Sequence, residues 1–114
     1  MVSEDAISYA DFERVDVRVG RIERVEEFAA ARKPAYKLWV DFGALGVHKS
    51  SAGITRHYRP DELVGKLIIA VVNFPPKQIA DFMSEILVLG VPDEDGEVVL
   101  LAPDREVPLG GRLF

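Results

Sequence analysis

The chain has 114 residues, of which 19 are acidic and 14 basic, giving a formal net charge of −5, and 48% of the residues are hydrophobic. These values indicate a single globular domain over residues 1–114 that can bury a core of its own. The chain contains no cysteine, which excludes a disulfide scaffold, a thiolate zinc site and a cysteine nucleophile.

The N-terminal ten residues, MVSEDAISYA, lack the basic and apolar regions of a signal peptide. The longest strictly apolar run elsewhere, Leu67 to Val72, is far shorter than a membrane-spanning segment. We therefore expect neither a signal peptide nor insertion into a membrane.

The first half of the chain predicts a short helix followed by three strands. Ser8 is suited to cap a helix over Tyr9 to Arg14, and the apolar period then changes to two, with a phase slip at Gly20 that suggests a bulge in a long first strand. The alternating residues are Val15, Val17 and Val19 in the first strand and Tyr36, Leu38, Val40 and Phe42 in the second, and a third strand covers Val47 to Ile54.

The second half predicts one helical turn, two more main strands and a final hairpin. The turn covers Pro60 to Gly65. Lys66 to Phe74 and Met83 to Val91 are predicted strands with apolar residues on both faces, separated by a loop that contains two prolines. A turn at residues 93–96 leads into Glu97 to Leu101. Residues 1–14 are expected to form a helical extension, and residues 102–114 an extended tail.

Five main strands, with a short helix between the third and the fourth, predict an all-β fold with short helices: a five-stranded Greek-key barrel of the OB type. A small β-sandwich is the alternative. One small barrel can bury only the inner sides of the two-faced strands, so their outer sides predict a homodimer. Alternatively, the terminal segments cover those sides within one chain.

The sequence offers little for catalysis or metal binding. His48 and His57 could pair with Ser50, Ser51 or Ser84, but no strand-to-helix nucleophile elbow is present to hold such a dyad. Two histidines nine residues apart without cysteine are a poor metal site, and there is no glycine-rich phosphate loop. We therefore expect neither enzymatic activity nor a metal or other cofactor.

The charge distribution favours a binding function. Residues 32–80 contain 8 basic and 3 acidic side chains, a net charge of +5, whereas residues 1–31 and 81–114 carry −4 and −6. A basic middle segment can face phosphate or an acidic partner, although the cations could also be scattered over solvated loops. Adjacent loops of an OB barrel could bring these cations together as a positive rim: Arg32, Lys33, Lys37, Lys49, Arg56 and Arg59.

Trp39 is the second indication of a binding surface. It points outward if its neighbours Leu38 and Val40 point inward. An outward tryptophan could stack on a base, line an apolar peptide groove or lie in a subunit interface, or it could be an isolated exposed aromatic residue.

Four separated blocks of sequence resemble the CsaA family, the export-related chaperones of bacteria and archaea. The blocks are residues 32–38, 49–55, 72–79 and 82–85, and the resemblance extends from about Phe12 to Leu113. It implies a cytoplasmic OB-fold homodimer, similar to free-standing tRNA-binding proteins and to the tRNA-binding appendage of methionyl-tRNA synthetase. It further implies an ATP-independent chaperone that holds unfolded secretory preproteins for export, with the ATPase of the Sec translocase as a candidate partner.

Two sets of candidate site residues follow. For peptide binding we select Trp39, Phe74, Pro76, Phe82 and Met83 from their side chains rather than from a family motif. The resemblance to tRNA-binding domains implies an alternative function, tRNA binding, through Lys37, Asn73 and Ser84, and to these we add Lys33, Lys49, Ser51 and Lys77 as candidate RNA-binding residues. Where those relatives have Asn-Leu-Lys-Pro, this chain has Asn73-Phe74-Pro75-Pro76, and Ile86 and Leu87 replace their glycine and methionine. Both departures count against tRNA binding, and the apolar residue in place of a basic one favours peptide over phosphate.

Overall fold

The computed structural model describes residues 5–114, so the first four residues of the predicted N-terminal extension lie outside the described residues. The helices are α1 (Tyr9–Glu13) and α2 (Pro60–Leu63). The strands are β1 (Val17–Glu27), β2 (Tyr36–Asp41), β3 (Val47–Ala52), β4 (Leu67–Val71), β5 (Lys77–Ile79), β6 (Phe82–Ser84), β7 (Leu87–Val88), β8 (Gly90–Pro92) and β9 (Val98–Leu100). Within residues 5–114, no helix has both the length and the apolar character that crossing a bilayer requires.

The main sheet has five strands in the order β3-β2-β1-β4-β7, and all its pairings are antiparallel. The long β1 pairs with β4 through residues 17–21 and with β2 through residues 21–27, so one continuous strand belongs to both halves of the sheet. The sheet curls into a nearly closed barrel with α2 between β3 and β4. The predicted OB-type barrel is confirmed, and the sandwich alternative is wrong.

The bend in β1 explains why glycine occupies position 20. A Cβ at Gly20 would lie 2.5 Å from Cγ1 of Val40 and 2.8 Å from the ring of Phe42, so the strand can approach these core residues only without a side chain. The predicted bulge is present, but it lies between Ile22 and Arg24, where the register with β2 shifts. Glycine permits the close approach, and the bulge bends the strand.

The interior of the barrel is apolar, and the predicted inward face of β2 is confirmed. Its members are buried together with residues from other strands, from α2 and from connecting segments, and the core comprises Ile22, Tyr36, Leu38, Val40, Phe42, Ile54, Leu63, Ile68, Ala70, Ile86 and Leu100. The Tyr36 hydroxyl donates a hydrogen bond of 2.7 Å to the Tyr58 carbonyl. Burial, with a contribution from Glu27, raises the pKa of Tyr36, so its hydroxyl stays protonated and can donate.

The edge of β3 is completed by side chains instead of by a regular strand. The Glu85 amide donates to the Lys49 carbonyl at 2.8 Å, and Oε1 of Glu85 accepts from the Lys49 amide at 3.0 Å. Two residues further on, the Ser51 amide donates to Oγ of Ser84 at 3.0 Å. These bonds close the seam between β3 and the segment that precedes β7, so Ser84 and Glu85 act in place of backbone carbonyls.

Two parts of the second half differ from the prediction. The predicted strand Met83 to Val91 is divided among β6, β7 and β8, and the predicted proline loop contains a second hairpin, β5–β6. This hairpin turns at Ala80, whose φ is +51°. The other predicted elements are present: Ser8 caps α1, and β8 and β9 pair around the turn at residues 93–96.

The predicted extended tail associates with the start of β1. The Gly110 amide donates to the Val19 carbonyl at 2.8 Å, the Val19 amide donates to the Gly111 carbonyl at 3.0 Å, and the Leu113 amide donates to the Val17 carbonyl at 2.9 Å. The tail therefore extends the sheet beside the first half of β1.

Candidate binding groove

The small hairpin β5–β6 packs across the outer face of β2 and β3. Its anchor is Phe82, whose ring lies edge-on to Phe28 at 5.5 Å and to Trp39 at 5.9 Å between ring centroids. Phe82 is only 5% exposed. The expectation that Phe82 presents its ring to a peptide is therefore corrected: its aromatic ring holds the hairpin against the barrel because burial there removes it from water.

A groove of about 400 Å³ lies between this hairpin, β3 and the loop that follows β4. Phe74 and Leu87 on its apolar side are 51% and 49% exposed. The groove is lined by Phe74, Pro75, Ile79, Ile86 and Leu87 on the apolar side and by Ser51, Lys77, Ser84 and Glu85 on the polar side. Concave apolar surface with a few polar groups is typical of a ligand site.

The polar groups of the groove differ in how far they are already engaged. Glu85 accepts from the Lys49 amide and lies 3.7 Å from Nδ1 of His48, so its carboxylate has partners. The hydroxyl of Ser84 accepts from Ser51 and can still donate its hydrogen to a ligand. Lys77 lies opposite Ser84 across the hairpin. The groove thus offers a hydroxyl donor and an ammonium group beside its apolar wall.

Two more lysines lie next to the groove on the same outer face. Nζ of Lys37 is 4.9 Å from the ring centroid of Phe28 and 5.2 Å from that of Phe82, and Nζ of Lys49 is 5.1 Å from that of Phe82. Lys37 is also the cross-strand partner of Ser51, which lines the groove. These ammonium groups, held over buried aromatic rings, form a surface suited to phosphates.

The basic middle segment carries charge that the rest of the described chain does not neutralise. Of the eight basic residues between 32 and 80, only Arg59 forms an ion pair within residues 5–114, with Asp61 and Glu62. The other seven are Arg32, Lys33, Lys37, Lys49, Arg56, Lys66 and Lys77. Of the six basic residues in the flanking segments, by contrast, four pair with carboxylates: Arg18, Arg21, Arg24 and Arg112. The positive potential is therefore concentrated on the middle segment.

The predicted peptide residues do not form one cluster. Phe74 lines the groove, whereas Trp39 packs on Phe82 and is covered by the guanidinium of Arg24, 4.4 Å from its ring centroid. Met83 pairs with Gln78, which places it on the face of the hairpin opposite to Lys77 and Ile79. Pro76 is exposed and lies outside the groove lining.

The predicted RNA residues are brought together more closely. Ser51, Lys77 and Ser84 line the groove, and Lys37 and Lys49 flank it. Lys33 and Asn73 lie elsewhere. Lys33 borders a separate polar cleft, and the amide group of Asn73 hydrogen-bonds to the Arg14 carbonyl at 2.8 Å and to the Asp16 amide at 2.9 Å.

The sequence prediction missed Ile79 and Leu87 as groove residues, and it missed Glu85 as the residue that closes the barrel seam. The sequence did contain a signal for Ile79, because residues two apart, such as Lys77 and Ile79, lie on the same face of a strand. Nothing local marks the role of Glu85, because its partner Lys49 is remote in sequence.

The histidines and serines are engaged in structural contacts. His48 hydrogen-bonds through Nε2 to the Leu45 carbonyl at 2.9 Å, and His57 contacts Asp93 at 2.6 Å. Ser50 is buried and donates to the Ile86 carbonyl. Among residues 5–114, neither histidine hydrogen-bonds to a serine, and no three histidine or carboxylate side chains converge as a metal site.

The curved five-stranded barrel and its lateral groove define an OB-fold binding domain, and the comparisons assign its family. Residues 17–112 match the family described as "Putative tRNA binding domain", and the chain belongs to this family. It is similar to the crystal structures of chaperone CsaA from Bacillus anthracis str. Ames (50% identity, TM-score 0.90, covering 96% of this chain and 99% of that one) and of the CsaA chaperone protein from Picrophilus torridus (55%, 0.89, 96% and 100%). The resemblance predicted from the four blocks is confirmed.

The chain is also similar to one part of a much longer enzyme. It is 35% identical over 112 residues to the methionine–tRNA ligase of Porphyromonas gingivalis (strain ATCC 33277), which covers 98% of this chain and 16% of the ligase. The chain thus spans about a sixth of the length of such curated relatives.

Proposed function

We propose that this protein is an ATP-independent chaperone that binds unfolded secretory preproteins in the cytoplasm and keeps them competent for export. The observation that carries the proposal is the open groove, whose wall includes the half-exposed side chains of Phe74 and Leu87. The similarity to two CsaA structures at 50% and 55% identity over nearly the whole chain supports it. We include the ATPase of the Sec translocase among the proposed partners.

The groove would act by burial of client side chains. A fully buried leucine or phenylalanine side chain contributes about 1.5–3 kcal/mol, so a groove that takes only a few such residues binds weakly. Binding to the unfolded but not the folded client withholds it from folding by mass action. This function needs only contact with an extended chain, and no reacting group.

In a homodimer, the grooves of the two copies could bind the same client chain, and this avidity would strengthen client binding. The proposed dimer surface is a different part of the barrel exterior, beside the C-terminal tail. It contains a second apolar groove of about 370 Å³, which is bordered by Ile69, Val107 and Leu113. The tail pairs with β1, yet Val107 and Leu113 remain exposed. The terminal segments therefore leave this face open to a second copy.

Suppression of aggregation of a denatured secretory precursor tests the proposal. Replacement of the exposed ring in Phe74→Ser is expected to weaken precursor binding roughly tenfold, because about 1.5 kcal/mol of apolar contact is lost. Val64→Ser is the matched control, since Val64 is 54% exposed and lies outside the groove lining. Equal activity of Phe74→Ser and the wild-type protein would show that the client does not use this groove.

A second candidate function, tRNA binding, is favoured by the lysines around the groove, which form no ion pair with any carboxylate of residues 5–114. Neutralisation of about three phosphates by Lys37, Lys49 and Lys77 predicts that the affinity for tRNA falls roughly 20- to 40-fold between 50 and 200 mM salt. Lys49→Ala should reduce that slope, whereas Lys66→Ala, a control cation that lies over the Tyr58 ring, should not. An affinity that does not change with salt would exclude this function.

A further inference from the structure

Side chains that we assign to the two candidate functions line the same groove. The apolar side chains Phe74, Ile79 and Leu87 and the polar side chains Ser51, Lys77 and Ser84 line one continuous space of about 400 Å³. The sequence had assigned Phe74 to a peptide site and Ser51, Lys77 and Ser84 to an RNA site, and it had assigned Ile79 and Leu87 to neither. The structure brings both chemistries together within the reach of a single ligand.

The spacing within the hairpin shows how closely the two chemistries are interleaved. Lys77 and Ile79 lie two residues apart on one face of β5, which corresponds to roughly 6.6 Å along a strand. Ser84 is directly opposite Lys77, at the roughly 5 Å that separates the Cβ atoms of cross-strand pairs. An RNA strand continues on both sides of a phosphate held by Lys77 and Ser84, so its sugars and bases would enter the space that an apolar side chain needs to contact Ile79.

We propose that RNA and the unfolded client exclude each other from this groove, so that RNA acts as a competitive ligand that releases the client. The proposal rests on the proposed chaperone function and adds a regulator to the same site. The client contributes apolar side chains to the wall formed by Phe74, Ile79 and Leu87. The RNA contributes phosphates to Lys77 and its neighbours Lys37 and Lys49, which no carboxylate neutralises within residues 5–114.

Competition at one site has a quantitative consequence. The apparent dissociation constant of the client rises by the factor 1 + [RNA]/Kd(RNA), which is about 11 when RNA is present at ten times its own dissociation constant. The effect is reciprocal, since the client must weaken RNA binding by the same linkage. Independent sites would leave both constants unchanged.

The experiment is a titration of the full chain with a fluorescein-labelled apolar peptide from a secretory precursor, repeated at several concentrations of tRNA and at constant ionic strength. We expect the apparent Kd of the peptide to rise linearly with tRNA concentration, without a ternary complex. If the peptide binds and its affinity is unaffected by bound tRNA, or if tRNA does not bind at all, the exclusion proposal is overturned while the chaperone proposal stands. If the peptide itself fails to bind, the chaperone proposal fails.

A substitution in the apolar wall separates a shared groove from two neighbouring sites. Leu87→Glu removes an apolar contact for the peptide and places a negative charge where the RNA would lie, so it should weaken both ligands at least threefold. Val64→Glu is the control, because it adds the same charge at a similarly exposed valine outside the groove. Loss of peptide binding alone in Leu87→Glu would contradict a shared site.

Discussion

The hydrogen bond that closes the barrel beside the groove can be tested through Glu85. Its carboxylate accepts from the Lys49 amide at 3.0 Å, while its own amide donates to the Lys49 carbonyl at 2.8 Å. Glu85→Ala removes the first bond and leaves the second. A hydrogen bond to a charged group contributes about 1.5–3 kcal/mol. The Glu85 side chain is partly exposed, so in the Glu85→Ala protein a water molecule can accept the hydrogen bond from the Lys49 amide. We therefore expect a loss at the lower end of this range, with the free energy of unfolding falling by about 1.5 kcal/mol.

Urea denaturation and amide hydrogen exchange measure this effect. Glu85→Ala should lower the urea midpoint and accelerate exchange of the Lys49 amide more than exchange of amides in β1. Glu85→Gln keeps a carbonyl acceptor and should lose about half as much stability, and Glu94→Ala, an exposed carboxylate in the β8–β9 turn, should lose none. A Glu85→Ala protein with wild-type stability and a protected Lys49 amide would refute the idea that side chains close the seam.

Two further predictions concern the fold. Gly20→Ala should lower the free energy of unfolding by about 1–3 kcal/mol, because the added Cβ would lie 2.5 Å from Cγ1 of the buried Val40. Gly53→Ala is the control: its Cβ would have no atom nearer than 3.9 Å, so it should be neutral or stabilising in the same denaturation assay. The Glu97 amide and then the His57 ring hold the pKa of Asp93 below its ordinary value, so the stability from this carboxylate is present above about pH 4 and is lost as the pH falls through the lowered pKa. The stability difference between wild type and Asp93→Asn should therefore shrink on acidification, and a difference that stays constant while NMR shows the Asp93 carboxylate becoming protonated would contradict this.

The barrel could be predicted because its signals are local. The alternation of Tyr36, Leu38 and Val40 identifies an inward face without knowledge of any partner strand, and the slip at Gly20 marks the strand that must bend. The helical turn between β3 and β4 completes the OB pattern. Each of these features depends on neighbours within a few residues.

The hairpin β5–β6 could not be predicted in the same way. Its strands have only three residues each, and its turn places Ala80 at a φ of +51°, a conformation for which alanine gives no signal. Its packing on the barrel depends on the contact between Phe82 and Trp39, which are far apart in sequence. The groove exists only because of this packing, so Ile79 and Leu87 were found in the structure, whereas Phe74 could be selected from the sequence.

The most direct test of the chaperone account is to map the client on the protein by NMR. A 15N-labelled sample titrated with an unlabelled, unfolded precursor peptide should show its largest amide shifts at Ser51, Ile79 and Leu87, around the groove. Shifts confined to the face of Val107 and Leu113, with the groove amides unchanged, would contradict the account.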